Sequence, residues 1–193
     1  MSPLTVLSYA RDILSHLPWT HWELMGVVSL ALTLTVILLI RKKCSVYGAI
    51  ALGIAVFMGL FLLDTAVLIR YFGIMPHTSG FNMALDFSRI FQKSGQGPVE
   101  TISNISVFVP FGFFLGEWLA SLNRTSPWCR VGLVTLIALG LSLCIESLQL
   151  LLHVGFFELT DLVMNTLGGF VGALISVGLR KVVGEKSRTL TPN

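Results

Sequence analysis

The chain has 193 residues, 54% of them hydrophobic and only 12% charged, with a net charge of +3 and a mean hydropathy of +0.82. Soluble domains carry about 25% charged residues, so a soluble enzyme, a disulfide scaffold and a disordered tail are all poor fits. A basic excess this small and scattered also argues against a nucleic-acid partner. What remains is a small integral membrane protein.

In chain order, residues 1–23 come first. Met1 to Thr5 carry no Lys or Arg, and Arg11 is followed by Asp12 rather than by an apolar run, so no cleavable signal is expected. Leu4, Leu7, Ile13, Leu14 and Leu17 form one apolar side of a short helix. With Trp19 and Trp22 beyond it, this segment is expected to lie in the membrane interface. A spanning helix needs about 20 apolar residues. The candidate spans are 24–40, which stops at Arg41-Lys42-Lys43, then 46–69, interrupted by Asp64, then 102–122, 131–152 and 159–183. Between the second and third lies a polar stretch, 71–101, rich in Gly, Ser, Asn and Gln, expected as the one long loop. The expectation is an all-α, polytopic bundle of five transmembrane helices over 1–193, in a single domain without an internal repeat. Short connections make spans three, four and five antiparallel neighbours in sequence.

Orientation follows from the Lys and Arg of the loops. Nine of the 13 basic residues fall in 41–45, 123–130 and the tail from Arg180; the other four are Arg11, Arg70, Arg89 and Lys93. This puts the N-terminus outside and the C-terminus in the cytoplasm. Cys44, Cys129 and Cys144 stand far apart with no CxxC and no His at ligand spacing, so neither a metal site, nor a cofactor, nor a disulfide framework is expected. Pro76-His77-Thr78-Ser79-Gly80 reads as a loop turn.

Ionisable and amide groups inside a bilayer are costly, which makes each a candidate site residue. Asp64 near the outer end of span two, Asn104 at the start of span three, Glu146 and Gln149 in span four, and Glu158, Asp161 and Asn165 around the start of span five all fall in the outer half. Ser142, Glu146, Gln149 and His153 share one helical face, as do Glu158, Asp161, Asn165, Gly168 and Gly172. Both faces are expected to turn inward and form a pocket, completed by Asn104, with Arg70 and Arg89 available to balance the carboxylates. Gly112 and Gly116 in span three, and Gly168, Gly169 and Gly172 in span five, are expected to let helices approach closely. Pro110 is expected to kink span three. Glu117, beside Trp118 near the cytoplasmic side, reads as an ordinary interfacial residue.

Three segments carry a resemblance: Asn104-Ile-Ser-Val-Phe108-Val-Pro110-Phe111-Gly112, then Glu146-Ser-Leu-Gln149, then Asp161-Leu-Val-Met-Asn165-Thr-Leu-Gly168-Gly169 with Gly172. In order and spacing, over roughly residues 60 to 180, they are similar to the signature segments of VanZ-like membrane proteins. The resemblance implies a bacterial membrane protein of four or five spans, from a family named after a protein that accompanies glycopeptide-resistance genes and raises tolerance to teicoplanin, a lipid-bearing glycopeptide. It implies no reaction. Family members commonly carry an Arg between the Glu-Gln and Asp-Asn pairs; here Val154-Gly155-Phe156-Phe157-Glu158-Leu159-Thr160-Asp161 has none. Without a substitute such as Arg89, the site favours a cationic or neutral ligand.

Two functions follow as expectations. The first is non-catalytic recognition of a lipid-linked or lipidated molecule at the outer leaflet, contributing to antibiotic resistance or envelope maintenance. The alternative is a membrane enzyme acting on lipid-linked envelope precursors, with Glu146 or Asp161 as general base. A membrane lipid or lipidated ligand is the expected partner in both, and the sequence does not set the oligomeric state.

Overall fold

The computed structural model describes residues 19–40, 45–68, 71, 79–85, 97–122 and 125–189. Helix α1 is Trp19–Ile40, and α2 is Val46–Leu63, running on into a π-helical turn Asp64–Leu68. Strand β1 is Gly80–Asn82, α3 is Gly97–Ser121, α4 is Pro127–Leu151, β2 is Phe156–Glu158, and α5 is Leu159–Thr189. The protein is an all-α membrane helix bundle. Among the described residues four stretches are long and apolar enough to cross a bilayer: Val46–Leu68, Asn104–Ser121, Pro127–Leu151 and Leu159–Val183. Helix α1, expected as the first of five spans, has 22 residues, but its described apolar stretch is the shorter Met25–Leu38.

Several boundaries move from their expected places for local reasons. Helix α4 starts at Pro127 rather than at 131, because the Ser126 side chain accepts the Cys129 N–H at 3.3 Å and Pro127 occupies the first turn, where no N–H is missed. Ser45 caps α2 in the same way, accepting from Gly48 N at 3.1 Å. Helix α3 begins at Gly97, inside the stretch read as loop, and Trp19 and Trp22 belong to α1 rather than to a separate interfacial segment. Residues 1–18 lie outside the described residues.

Hydrophobicity is inverted relative to a water-soluble bundle. Leu38 is 74% exposed, Leu136 65% and Val27 65%, whereas Ser29, Thr33, Asp64, Glu117, Ser142, Glu146, Gln149, Asn165 and Ser176 are all buried. In water such an apolar belt would be a large association surface; against acyl chains it costs nothing, and polar groups must find partners inside. Helix α1 shows the rule at its smallest. Met25, Ser29 and Thr33, each four apart, face inward, and the Ser29 hydroxyl donates to the Gly53 carbonyl of α2 at 3.1 Å.

The bundle has two ends. At the upper end α2 and α4 finish and α5 begins; at the lower end α2 and α4 begin and α3 finishes. Helix α4 ends in a Schellman cap: the Val154 N–H reaches the Gln149 carbonyl at 2.9 Å and the His153 N–H reaches the Leu150 carbonyl at 3.2 Å. His153 takes the left-handed conformation this requires, at φ 57°. The chain then enters β2, which pairs in parallel with β1, with Gly80 opposite Phe156, Phe81 opposite Phe157 and Asn82 opposite Glu158. Part of the stretch expected as plain loop is therefore bound to the connection between α4 and α5. The Phe81 and Phe157 rings lie 5.5 Å apart, and the Thr160 hydroxyl donates to the Ala84 carbonyl at 3.2 Å.

Helix α3 is central, packing on α2, α4 and α5, and its closest partner is α5. These two helices run parallel and touch backbone to backbone. A Cβ on Gly168 would sit 2.5 Å from the Ile105 carbonyl oxygen, and one on Gly172 would overlap the Val109 carbonyl. A Cβ on Gly112 would overlap the backbone of Gly169, and one on Gly169 would overlap the Ala138 side chain of α4. Gly116 meets Ser176 one turn lower. Packing, rather than expulsion of water, holds helices together in lipid, so contact at this distance is the main source of cohesion. Gly112→Ala and Gly172→Ala are each expected to cost roughly 1–3 kcal/mol of stability through overpacking. Gly140 faces open space, and Gly140→Ala is expected to change stability by less than about 1 kcal/mol. Thermal midpoints of the detergent-solubilised variants check this; equal midpoints for Gly172→Ala and Gly140→Ala would contradict the close contact.

Candidate functional site

The upper polar cluster is built by the end of α4, the start of α5 and the π-helical turn. Glu146, 2% exposed, points from α4 to the start of α5, where its Oε2 accepts the Glu158 N–H at 2.9 Å. A carboxylate there stands near the positive dipole end of a helix, an arrangement worth about 0.3–1 kcal/mol and up to about 2 when partly buried. Asp161, half-buried, lies in the first turn of the same helix. Two of the expected carboxylates thus converge on one helix N-terminus.

One turn deeper, Asn165 Nδ2 donates to Ser142 Oγ at 2.9 Å across the interface between α4 and α5. Asn165 is 5% exposed, and its Oδ1 has no hydrogen-bond partner. Turning the amide over would only exchange which of its two polar atoms is left over. A buried polar atom in this state costs about 1–3 kcal/mol.

Gln149 departs from the expected pocket. Its Nε2 donates at 3.0 Å to the Ala66 carbonyl in the π-helical turn, while its own carbonyl accepts the Schellman bond from Val154. It therefore ties α4 to α2 and does not turn toward Asn165. Asp64, 3% exposed, opens the π-helical turn and lines a groove of about 340 Å³ between α1, α2 and α4, with Met25, Val28, Leu60, Leu63, Val67, Leu68 and Leu148. A single π turn inside an α-helix often marks a functional position, because it re-aims side chains and carbonyls. Asn104 is half-buried on α3. Arg70 and Arg89 lie outside the described residues. Among the described residues the Lys and Arg, namely Arg130, Arg180, Lys181, Lys186 and Arg188, all belong to the lower end. Among the described residues no group of His, Cys, Asp and Glu could hold a metal ion.

The lower end holds a second cluster that the sequence reading passed over. Glu117 is 2% exposed, not an interfacial residue. Its Oε2 accepts from Tyr47 Oη of α2 at 2.6 Å, and its Oε1 accepts from Ser176 Oγ of α5 at 2.6 Å. The Arg180 guanidinium of α5 donates to both oxygens through Nε at 3.1 and 3.0 Å, and a terminal nitrogen lies 2.8 Å from Oε2. That guanidinium also stands over the Tyr47 ring, 5.8 Å from its centroid. Three helices are joined through one saturated carboxylate. The signal was present in sequence: Gly168, Gly172, Ser176 and Arg180 step by four along α5, so the face that packs on Gly112 and Gly116 must carry an Arg to the level of Glu117.

Residues 49–180 match the family model described as VanZ/LLP1. Over 73 residues the chain is 33% identical to Protein VanZ of Enterococcus faecium, a match covering 38% of this chain and 41% of that protein. The matched part thus spans less than half of that relative. No solved structure matches the chain.

The matched segment contains Glu117 and Arg180, whose unequal burial sets an order of effects. Arg180→Met would strand a buried carboxylate, for which about 3–5 kcal/mol of destabilisation is usual. Glu117→Gln keeps an acceptor for one of the two hydroxyls and leaves an arginine whose side chain, 35% exposed, can turn to water. It is expected to cost less, about 1–2 kcal/mol. Thermal melts of both variants in detergent test the order; Glu117→Gln proving the more damaging would contradict it.

Proposed function

This chain belongs to the VanZ/LLP1 family, and we propose that its upper cluster recognises the polar head of a lipid-linked or lipidated molecule at the outer leaflet, contributing to antibiotic resistance or envelope maintenance. The observation that carries the reading is Asn165, a buried amide with one polar atom unsatisfied, one helical turn from Glu146 and Asp161. A buried orphan is retained at a cost, and a ligand hydroxyl or amide N–H offsets that cost. The unmet Asn165 oxygen is an acceptor, so the site favours a head that brings a donor. Sugars, peptide amides and amines fit this character better than phosphates do.

The distribution of charge supports the orientation. Nine of the 13 Lys and Arg fall in the two loops and the tail on the side of the lower end, against four elsewhere, and the positive-inside rule assigns that side to the cytoplasm, leaving the upper end outside. In that orientation the cluster meets molecules that arrive from the cell exterior or are carried on the outer leaflet of a bacterial membrane. Glu146 is already engaged at the start of α5, so its role in this reading is to hold the site open and acidic rather than to transfer a proton.

Expression of the chain in a susceptible bacterium, with teicoplanin and vancomycin compared side by side, tests the proposal. The intact chain is expected to lower susceptibility to teicoplanin more than to vancomycin, since only the former bears a lipid tail. Asn165→Leu and Glu146→Gln are expected to abolish the difference while the protein remains inserted. Unchanged susceptibility to both drugs, or full protection by Asn165→Leu, would refute the assignment.

A further inference from the structure

At the lower end the bundle gathers more positive charge than its buried carboxylate answers. Ala138, Val134 and Arg130 step by four down α4, and the first two are 0% exposed, so this face turns inward. Ala138 lies against Gly169 of α5. From that contact Arg130 is about 12 Å down α4 and Arg180 about 16 Å down α5, a difference that side chains of this length span. The charges of Arg180 and Glu117 both act on Arg130. Glu117, however, is already engaged by Tyr47, Ser176 and Arg180, which leaves two guanidiniums to one carboxylate.

Among the described residues, two atoms at this end are buried with no hydrogen-bond partner, Arg130 Nε and Thr125 Oγ1. They belong to one place. Ser126 caps α4, so Thr125 stands just before the cap and Arg130 in the second turn, positions whose side chains pack on each other at a helix start. A buried donor left unmet costs free energy, and a second cation close by adds to the cost. One oxyanion removes both. The guanidinium edge through Nε offers N–H groups in a fork that matches a phosphate, and the Thr125 hydroxyl adds a donor. The positive end of the α4 dipole has the same sign. Trp128, beside them in the first turn and 74% exposed, puts this level in the headgroup layer.

We infer that Arg130 and Thr125, with Arg180 behind them, form a binding site for a phosphate oxyanion at the lower end of the bundle. Phosphate reaches this level from two sources, the headgroup of an anionic lipid and free phosphate in solution. Bound there, it joins the start of α4 to α5, at the end opposite the ties of Gln149 and Glu146. The site does not depend on the upper cluster or on what that cluster binds.

The test uses the full chain in dodecyl maltoside, a detergent without phosphate, and reads the thermal midpoint during titration. The additions are dioleoylphosphatidylglycerol, dioleoylglycerol as a diacyl lipid without phosphate, and sodium phosphate against sodium chloride at equal ionic strength. A rise with at least one phosphate source and none with dioleoylglycerol is expected. Arg130→Gln is expected to raise the half-saturating concentration about tenfold. Thr125→Val is expected to raise it in the same direction, and makes the test if Arg130→Gln fails to insert. Lys181→Gln, exposed on α5 at the same end, is expected to leave it unchanged. A response to phosphatidylglycerol alone assigns the site to a lipid headgroup, and a response to sodium phosphate assigns it to free phosphate as well. Equal weakening by Arg130→Gln and Lys181→Gln would overturn the inference by reducing it to general charge attraction. So would an equal rise with dioleoylglycerol, or no rise with either phosphate source.

Discussion

The contact between α3 and α5 is made between main chains, and nearly every other feature depends on its closeness. Gly168 and Gly172 meet the carbonyls of Ile105 and Val109, and Gly112 meets Gly169. With no side chains between them, the two parallel helices hold a fixed register. That register carries Ser176 and Arg180 to the height of Glu117 below, and Asn165 to its height above. Side-chain packing at an ordinary interhelical distance, about 8–10 Å, would leave room for a sliding register and could not place both ends at once.

Helix α4 completes this frame by a different device. It contributes Ala138 against Gly169 and then relies on polar ties at its upper end. Gln149 joins it to the π-helical turn of α2, Ser142 to Asn165 and Glu146 to the start of α5. In hydrocarbon each tie is modest, of order 1 kcal/mol. Their effect is therefore geometric more than energetic: they set where the end of α4 stands relative to the two neighbours, and with it the shape of the groove behind Leu148.

The spans with sustained hydropathy were legible in sequence, because a stretch such as Val131 to Leu152 has one physical solution in a bilayer. The polar face of α4 was legible too, since a four-three-four spacing puts Ser142, Glu146 and Gln149 on one side of any helix. The partner each would choose was not. Gln149 reaches the Ala66 carbonyl because a π-helical turn re-aims that group, and no periodicity announces a π turn. The pairing of β1 with β2 joins residues far apart in sequence over a few positions, too short for an alternation to register. Glu117 was misread because an acid beside a tryptophan near a span end usually faces the headgroups. Only the four-residue step from Gly168 to Arg180, read together with the glycines of α3, points to its burial.

Glu117 and Asn165 are bonded in opposite ways, although the lower end too holds buried polar atoms without a partner, Thr125 Oγ1 and Arg130 Nε. At Glu117 each carboxylate oxygen is met by a hydroxyl and by Arg180, so the charge is spent within the protein and a ligand would have to displace a bond to gain one. At Asn165 one polar atom is buried and unsatisfied. A packing role is served better by saturation, because an unmet group costs free energy in every molecule at all times. A binding role is served by an unmet group, because the free energy is recovered when the ligand arrives. The difference that motivates the proposed site is therefore that of one amide: Asn165 keeps a buried polar atom unmet, whereas both oxygens of Glu117 are met within the protein.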